Sequence, residues 1–292
     1  MVTKPFPLPR GVDAVTVVPA PQPGPQNWAG APAVHPDDDG SLVIAYRERE
    51  RAPDGTVTDR NVIARSADGV HLEPVATLTP GALGVAMVER PALTRTDDGR
   101  WRMHVSLATP HSKHWWVGLL EAATPEELPG ADLRAAFPGH ETAGFKDPVV
   151  LRAGGRWHAW LCRHPLDLPG HEDRMSTTYA TSADGLDWTD HGTVLRGREG
   201  FWDARGARVT AVLDDGRAAY DGRPTAEANW FEQLGVAHPD GAGPGLLPQG
   251  DAPGFDARYL SVLSRPGGGY RVWYEARLPE GHHELRTELL TT

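Results

Sequence analysis

The sequence predicts an all-β protein, a five-bladed β-propeller, because one module recurs along it about every 40 to 58 residues. Each copy has a short apolar strand, a turn rich in Asp and Gly, and a second strand that carries an aromatic residue. Asp-Gly and Gly-Gly pairs between β-forming residues are a strong signal for a hairpin. The five copies lie at residues 32–46, 91–105, 148–161, 208–220 and 260–274.

These repeats favour a single ring over a string of separate domains, because one blade cannot bury both of its faces alone. We therefore predict one propeller domain over residues 28–292. Residues 1–27 are rich in proline and predict an extended arm with little regular structure of its own. Such an arm is placed to pack across the last blade and close the ring.

Composition limits the classes of partner. The 292 residues carry a formal net charge of −10 without a run of Lys and Arg, which argues against a nucleic-acid partner. No phosphate-binding loop, dinucleotide fingerprint or paired-Cys zinc motif occurs, so no cofactor is predicted. The first residues lack the apolar segment of a signal peptide or membrane helix, and we expect a cytoplasmic protein without membrane association. The single cysteine, Cys162, lies in a predicted strand and is expected to be a buried thiol.

The repeats also predict where charged residues meet. In a propeller blade, the start of the innermost strand and the end of the second strand lie on the same face, because antiparallel neighbours run in opposite directions. Four predicted innermost strands bring a carboxylate to that face: Glu89, Asp147, Asp203 and Asp256. Arginines are predicted to rim the same opening, three positions after an aromatic residue (Arg49, Arg163, Arg223, Arg277) or next to these carboxylates (Arg90, Arg205, Arg258).

Converging carboxylates are what glycosidic-bond hydrolysis requires, since one group protonates the leaving oxygen while another activates water or attacks the sugar. The alternative is that these acids and arginines pair with each other and hold the ring closed. Two further candidates for the acid, Glu227 and Glu232, lie in a connection predicted at the same mouth, where a solvated loop is the simpler interpretation.

Aromatic residues near the predicted mouth are candidates for stacking on a sugar ring. They are Trp28 and Trp202, each just before an inner strand, and Trp115 with the neighbouring His114 in the loop of residues 111–116. The two histidines of this loop lack a third ligand nearby, so no metal site is predicted. The loop of residues 164–176 is long enough to act as a lid, although its charged composition equally fits an exposed loop.

The hairpins, two Ser-x-Asp-Gly phrases at residues 66–69 and 182–185, and the Lys146-Asp147-Pro148 step together resemble the five-bladed propeller glycosidases. This superfamily includes the arabinanase and xylosidase group (glycoside hydrolase family 43) and the related invertase-like and mannoside-phosphorylase groups. The resemblance covers roughly residues 28–290. It implies a base or nucleophile from the first blade, an orienting Asp from the second or third, and an acid Glu from the third or fourth; Asp147 best matches an orienting or catalytic aspartate.

The first blade departs from that pattern, because Gly30 and Ala31 stand where the second blade has Glu89 and Arg90. The leading hypothesis is a glycosidase-like enzyme that hydrolyses a small carbohydrate, or a glycosylated or anionic metabolite, in the central funnel, using Asp147, Glu89 and Asp203 with Glu227 or Glu232 as acid. The many arginines favour an anionic substrate, since guanidinium groups hold carboxylates and phosphates well. A non-catalytic sugar-binding propeller and a non-hydrolytic isomerase, lyase or cyclase are the alternatives.

Overall fold

A computed structural model describes residues 5–241 and 243–291 and is almost entirely β-structure. The helices found there are a short α-helix, α1 (Pro80–Leu83), and a 3-10 turn at Pro125–Gly130. In chain order the strands are β1 (Val15–Val18), β2 (Trp28–Pro36), β3 (Leu42–Arg51), β4 (Val57–Ser66), β5 (Glu73–Leu78), β6 (Met87–Arg95), β7 (Trp101–Ala108), β8 (Trp115–Ala122), β9 (Arg134–Phe137), β10 (Ala143–Ala153), β11 (Arg156–Pro165), β12 (Ser176–Ser182), β13 (Thr189–Leu195), β14 (Gly206–Val212), β15 (Ala218–Arg223), β16 (Gln233–Pro239), β17 (Leu246–Gln249), β18 (Arg258–Ser264), β19 (Tyr270–Arg277) and β20 (His283–Leu290).

The strands pair with their sequence neighbours in antiparallel sheets. Strands β6–β9, β10–β13 and β14–β17 form separate four-stranded sheets, and the remaining strands form an eight-stranded sheet. That larger sheet consists of two antiparallel parts, β2–β5 and β18–β20 with β1, which are joined by one parallel residue pair, Trp28 with His283. The all-β class predicted from the hairpin turns is confirmed.

The first strands of the three separate sheets, β6, β10 and β14, lie next to β2 and β18, which begin the two parts of the larger sheet. These strands contact one another in a closed cycle: β2 with β6, β6 with β10, β10 with β14, β14 with β18, and β18 with β2. Apolar clusters fill the spaces between neighbouring units, because each sheet has two faces to cover. Cys162 is buried and free in β11, as expected, and burial raises the pKa of its thiol to about 12.

The N-terminal segment is tied to the end of the chain. Strand β1 pairs antiparallel with β20, and Phe6 packs in the core cluster of the last unit. The backbone N–H groups of Arg10 and Gly11 donate to the Glu288 carboxylate at 2.8 and 2.9 Å. One sheet therefore contains strands from both ends of the chain. Across the residues described, no helix has the length and apolar character needed to cross a bilayer.

The pairing of each central strand with the next strand is interrupted by a β-bulge or irregularity, which shapes the centre of the molecule. In β2, β10 and β18 the bulge contains a residue other than glycine at positive φ: Ala31 at 48°, Asp147 at 49° and Tyr259 at 53°. Such backbone conformations cost roughly 1–3 kcal/mol and persist only where the surroundings enforce them. Bulges re-aim side chains, so this shared feature sets which groups point into the central space.

Candidate functional site

A cavity of about 620 Å³ opens at the end of the molecule where the central strands begin and their partners end. This is the face at which the sequence analysis expects polar residues to converge. Its wall is completed by loops around residues 109–113, 172–175 and 229–232. The charged and aromatic residues contributed by the strands are Trp28, Arg47, Glu89, Trp115, Lys146, Arg208, Arg223, Arg258 and Tyr259.

Arg208 lies at the centre of the buried charge network beneath this cavity. Its Nη1 donates to Asp147 Oδ2 at 2.8 Å and to Tyr259 Oη at 2.9 Å, while Nε and Nη2 donate to Asp221 Oδ2 at 3.1 and 2.8 Å. Both Asp221 oxygens also accept the backbone N–H of Tyr259 at 3.2 Å. Burial raises the pKa of Asp221 to about 6, although the charge of Arg208 opposes that shift.

Glu89 faces the cavity between two cations. Arg47 Nη1 lies 3.0 Å from Glu89 Oε1, and the Lys146 ammonium donates to the other carboxylate oxygen. Burial alone would raise the pKa of Glu89, but the charges of Arg47 and Lys146 outweigh it and hold the pKa well below its ordinary range. Glu89 is therefore an ionised carboxylate at neutral pH.

Lys146 is held as an ammonium ion. Its Nζ lies 3.8 Å from Asp147 Oδ2 and 4.3 Å from the centroid of the Trp115 ring. Burial alone lowers the pKa of Lys146, yet the carboxylates of Asp147 and Glu89 raise it above the ordinary value. A protonated amine is not a nucleophile, so this lysine acts as a positive charge in the cavity wall.

Glu232 also lines the cavity and, like Glu89, is held between two cations. Arg223 Nη1 donates to Oε1 at 2.6 Å, and Arg258 Nη1 donates to Oε2 at 2.9 Å. Burial favours the neutral acid, but the nearby charge of Arg258 and those of Arg208 and Arg223 lower the pKa of Glu232 well below the ordinary value. Like Glu89, it is ionised and fully engaged.

Asp147 lies just behind the cavity wall, completely buried. Its backbone N–H donates to Ser106 Oγ at 2.8 Å, and its Oδ2 is bound by Arg208, whereas its Oδ1 has no hydrogen-bond partner in the protein. The carboxylate reaches the cavity only through Lys146 and Arg208. Its position therefore suits a group that orients its charged neighbours rather than one that touches a ligand.

The first central strand lacks a carboxylate, and a neighbouring strand fills the space. Glu275 Oε2 accepts the backbone N–H of Ala31 at 3.1 Å, and a Cβ atom at Gly30 would lie only 2.1 Å from that oxygen. Glu275 is also bound by Arg258 Nε at 2.6 Å and lies 2.8 Å from His283 Nδ1. This carboxylate is 1% exposed and does not line the cavity. Glu275 therefore fills the space beside Gly30 and Ala31, but it offers no carboxylate to a ligand in the cavity.

Six of the candidates from the sequence line the cavity: Glu89, Glu232, Arg223, Arg258, Trp28 and Trp115. Apart from Asp147 behind the wall, the other candidates lie elsewhere: Arg49, Arg90, Arg163, Arg205, Arg277, Asp203, Asp256, Glu227, Trp202 and His114. Glu227 is exposed on its loop, and His114 lies with Nδ1 3.0 Å from Thr109 Oγ1.

Strand register explains why two of the carboxylates lie elsewhere. Asp203 belongs to a turn before β14, where it accepts from Tyr220 Oη at 2.7 Å and from Arg198, and Trp202 stacks on the Tyr220 ring. In β10, Lys146 pairs with Cys162 of the second strand. The corresponding residues of β14 and β18 are Arg208, paired with Asp221, and Arg258, paired with Glu275, and neither is an aspartate. Asp256 lies before β18 and pairs at the surface with Arg277 at 2.7 Å.

Arg47 and Arg49 lie two residues apart in β3 and so share one face of the strand, where both bind the Asp59 carboxylate. Arg47 lines the cavity, whereas Arg49 lies farther along that face, against the Trp28 ring. Arg205 pairs with Asp173 at 2.7 Å. Arg90 lines a different cavity, on the opposite side of the charge network.

Several central residues were not predicted from the sequence, although three of them share one position relative to a tyrosine. Arg47, Asp221 and Glu275 each directly follow a tyrosine in the second strand of a hairpin, and each lies opposite the inward residue of the central strand. A charged residue inside an otherwise apolar strand was the available sign. Other missed residues are Lys146, Arg208, Tyr259 and His164; burial lowers the pKa of His164 to about 4. In the part of the chain that the structure describes, no group of three or more His, Cys, Asp or Glu is arranged to hold a metal ion.

With this geometry established, the chain can be compared with known proteins. It has the propeller-type fold of the glycosidases, so the resemblance inferred from the hairpins is confirmed at the level of the fold. No protein-family model matches the sequence, and no curated protein matches it either.

Three solved structures illustrate the likeness. The β-1,2-mannobiose phosphorylase of Listeria innocua superposes with a TM-score of 0.64 at 13% identity, over 96% of this chain and 91% of the other. A glycosyl hydrolase of Bacteroides ovatus gives 0.62 at 16% identity, over 96% and 92%. The sucrose-6-phosphate hydrolase of Lactobacillus gasseri gives 0.65 at 13% identity, over 92% of this chain and 60% of that longer one. At such identities the similarity establishes a common fold and leaves function to the site.

We expect Gly30→Ala to destabilise the protein, because the added Cβ would collide with Glu275, whose oxygens are fixed by Arg258 and the Ala31 N–H. Overpacking of this kind costs about 1–3 kcal/mol, to be measured as a lower free energy of unfolding in urea. Gly130→Ala is the control, since a Cβ there meets no atom within 4 Å. Equal unfolding midpoints for the two variants would show that Glu275 moves freely.

We expect Glu232→Gln to lower the free energy of unfolding by about 3–5 kcal/mol, because Arg223 and Arg258 would lose a shared buried counter-charge. Glu227→Gln, an exposed change on the same connection, should leave the unfolding transition in place. Chemical denaturation of both variants makes the comparison. If the two behave alike, the pairing around Glu232 contributes nothing to stability.

Proposed function

We propose that the molecule is a single five-bladed propeller. The blades would be β2–β5, β6–β9, β10–β13, β14–β17, and β18–β20 completed by β1. The closed cycle of contacts among the five central strands supports this count, as does the single residue pair that links the two parts of the eight-stranded sheet. Pairing of β1 with β20 would then close the ring with both ends of the chain, within one domain.

We propose that this propeller is a glycosidase-like enzyme whose substrate is a small carbohydrate carrying an anionic group. The observation that carries the proposal is the charge of the cavity. Its lining includes six Lys and Arg side chains against four Asp and Glu, although the whole chain has a formal net charge of −10. Positive potential concentrated in one cleft of an acidic protein attracts a negatively charged ligand.

Two of the chain's three lysines are part of that lining, Lys113 and Lys146. Lys146 is already bound to Glu89, whereas Lys113 lies at the exposed edge and makes no ion pair with the residues the structure describes. Its ammonium is therefore available for a phosphate or carboxylate of the substrate. Arg223 contributes a further donor, because its Nε has no protein partner.

The size and aromatic content of the cavity suit a sugar. A volume of about 620 Å³ fits a small ligand, and the rings of Trp28, Trp115, Trp230 and Tyr259 line it. Aromatic faces pack well against the C–H faces of a sugar while polar groups bind its hydroxyls. Trp230 is 38% exposed and stands 5.7 Å from Trp28, at the entrance.

The protonation states favour one kind of bond cleavage. Glu89 and Glu232 are both held ionised, so either can accept a proton or act as a nucleophile, but neither is a ready proton donor. A leaving group that departs as an anion, such as phosphate, needs no proton donor. In the proposed step Glu89 accepts a proton from water, the water oxygen bonds to the anomeric carbon, and phosphate leaves with the electron pair of the broken C–O bond.

One observation favours a second candidate, a non-catalytic carbohydrate-binding propeller. Each carboxylate of the central cavity wall is shared between two cations, Glu89 between Arg47 and Lys146, and Glu232 between Arg223 and Arg258. Such pairing lowers the reactivity of a base.

The expectation of a cytoplasmic location stays a prediction.

We expect a panel of neutral glycosides, uronates and glycosyl phosphates to separate these candidates. Ligands are first ranked by the increase they cause in the thermal midpoint of unfolding, because a ligand at ~100 times its dissociation constant adds about 2.7 kcal/mol to stability. Those that bind are incubated with the enzyme, and products are identified by mass spectrometry. Hydrolysis of a glycosyl phosphate to free sugar and phosphate supports the proposal, binding without turnover supports the second candidate, and a response to neutral glycosides alone contradicts the anionic substrate.

Variants test the assigned roles. Lys113→Gln should weaken binding of the anionic ligand about tenfold, equivalent to about 1.4 kcal/mol, and leave a neutral sugar unaffected. Arg134→Gln removes an exposed charge on β9 and is the matched control. Glu89→Gln should lower turnover by roughly 10²-fold or more while binding persists, as expected for loss of a general base. Full turnover in Glu89→Gln would assign the chemistry to another group.

A further inference from the structure

A second cavity, of about 590 Å³, opens at the opposite end of the central strands. Its walls come from the later residues of β2, β6, β10, β14 and β18, so it is the continuation of the central channel beyond the charge network. The site proposed above does not include any of its residues. Arg90 lies at the inner end of this channel, next to the network.

Arg90 is a buried cation that makes no direct ion pair with a described residue, although Asp147 and Asp221 act on its charge at longer range. It is 4% exposed, and its Nη2 donates to two backbone carbonyls, of Thr210 at 2.5 Å and of Leu260 at 3.4 Å. Its Nε and Nη1 are buried and have no hydrogen-bond partner in the protein. No ion pair joins Arg90 to a carboxylate within residues 5–241 and 243–291. The nearby acids Asp147 and Asp221 are both bound to Arg208.

An isolated buried charge is costly, so this arrangement calls for a counter-ion. Taking an ion out of water costs several kcal/mol even after the protein relaxes, and neutral carbonyl groups repay only part of that. The face of Tyr259, 5.6 Å from the guanidinium carbon, is shared with Arg208 and Arg258. Burial lowers the pKa of Arg90, but arginine has an ordinary pKa so high that the group stays charged at neutral pH.

We propose that the channel binds a small monovalent anion, of the size of chloride, on the free Nε–H and Nη1–H groups of Arg90. The other cations of the channel are already paired: Arg95 with Asp37 and Asp38, and Arg152 with Asp97. Two free N–H groups on one guanidinium suit a small monovalent ion better than phosphate, whose several oxygens need more donors.

This anion would be distinct from the substrate anion, because Arg90 does not line the first cavity and Lys113 does not line the second. It would accept hydrogen bonds from the two N–H groups of Arg90 that the protein leaves without a partner. The first expected effect of the anion is on stability: the folded protein should be more stable when the anion is present.

Bromide is the probe for this site, because it resembles chloride and gives an anomalous X-ray signal. Crystals of the full chain soaked in sodium bromide should show an anomalous peak within hydrogen-bonding distance of Arg90 in the channel. A channel without a peak, in crystals whose surface sites carry bromide, would overturn the proposal. This measurement uses the unmodified protein and so does not depend on a variant that folds.

Stability in solution provides the second measurement. Replacing sodium gluconate by sodium chloride at constant ionic strength should raise the thermal midpoint of the wild-type protein, and Arg90→Gln should abolish that increase. Arg134→Gln, which removes an exposed charge of the same type, should keep the chloride response. An equal response in Arg90→Gln and wild type would contradict the assignment, whatever the behaviour of the substrate cavity.

Discussion

The bridge that Arg208 makes between Asp147 and Asp221 is the interaction on which the centre of this protein depends. It joins a residue of β10 to one of β15 through a residue of β14, with donor–acceptor distances of 2.8 Å on both sides. Around it the charges alternate, with Lys146 and Glu89 on one side and Arg258, Glu232 and Glu275 on the other. Buried ions are tolerated only when nearly every partner is present, so removing one member exposes its neighbours to the full cost of desolvation. The sheets and the charges are thus held in place by the same contacts.

This network also decides what the cavity can do. Pairing with cations keeps Glu89 and Glu232 ionised, so the stability they provide is present above the ordinary pKa of glutamate and is lost only as the pH falls toward their lower, folded-state pKa values. The same pairing leaves neither carboxylate a proton to donate at neutral pH. In the first central strand, Gly30 leaves room for Glu275 to complete an ion pair in place of a solvent-facing carboxylate. The fold resembles those of solved hydrolases and phosphorylases, but the charges in this cavity are set by this chain's own residues.

Much of the fold was predictable from the sequence, because hairpins are local. Asp-Gly and Gly-Gly turns between alternating strands mark each repeat without knowledge of distant contacts. The candidate site was harder, because it depends on register. Glu89, which precedes Pro91 in its central strand, lines the cavity. Asp203 looked equivalent in the sequence but lies in a turn, five residues before Arg208, the residue that pairs inward. Arg49 lies on the same face of β3 as Arg47 but two residues farther along it, and only Arg47 lines the cavity. Contacts between residues far apart in the chain, such as that of Glu275 with Gly30 and Ala31, leave no local pattern in the sequence.

The central claim is that Glu89 and Glu232, the cavity carboxylates that are each held between two cations, are ionised because of those partners. Carboxyl-carbon NMR of the protein labelled with ¹³C-glutamate tests it directly, with Glu89 and Glu232 assigned from their Gln variants. Both signals should remain unchanged as the pH falls from neutral to about 4, the range in which ordinary glutamates begin to titrate. Titration of either carboxylate at or above the ordinary value would contradict the account and make that residue available as a proton donor.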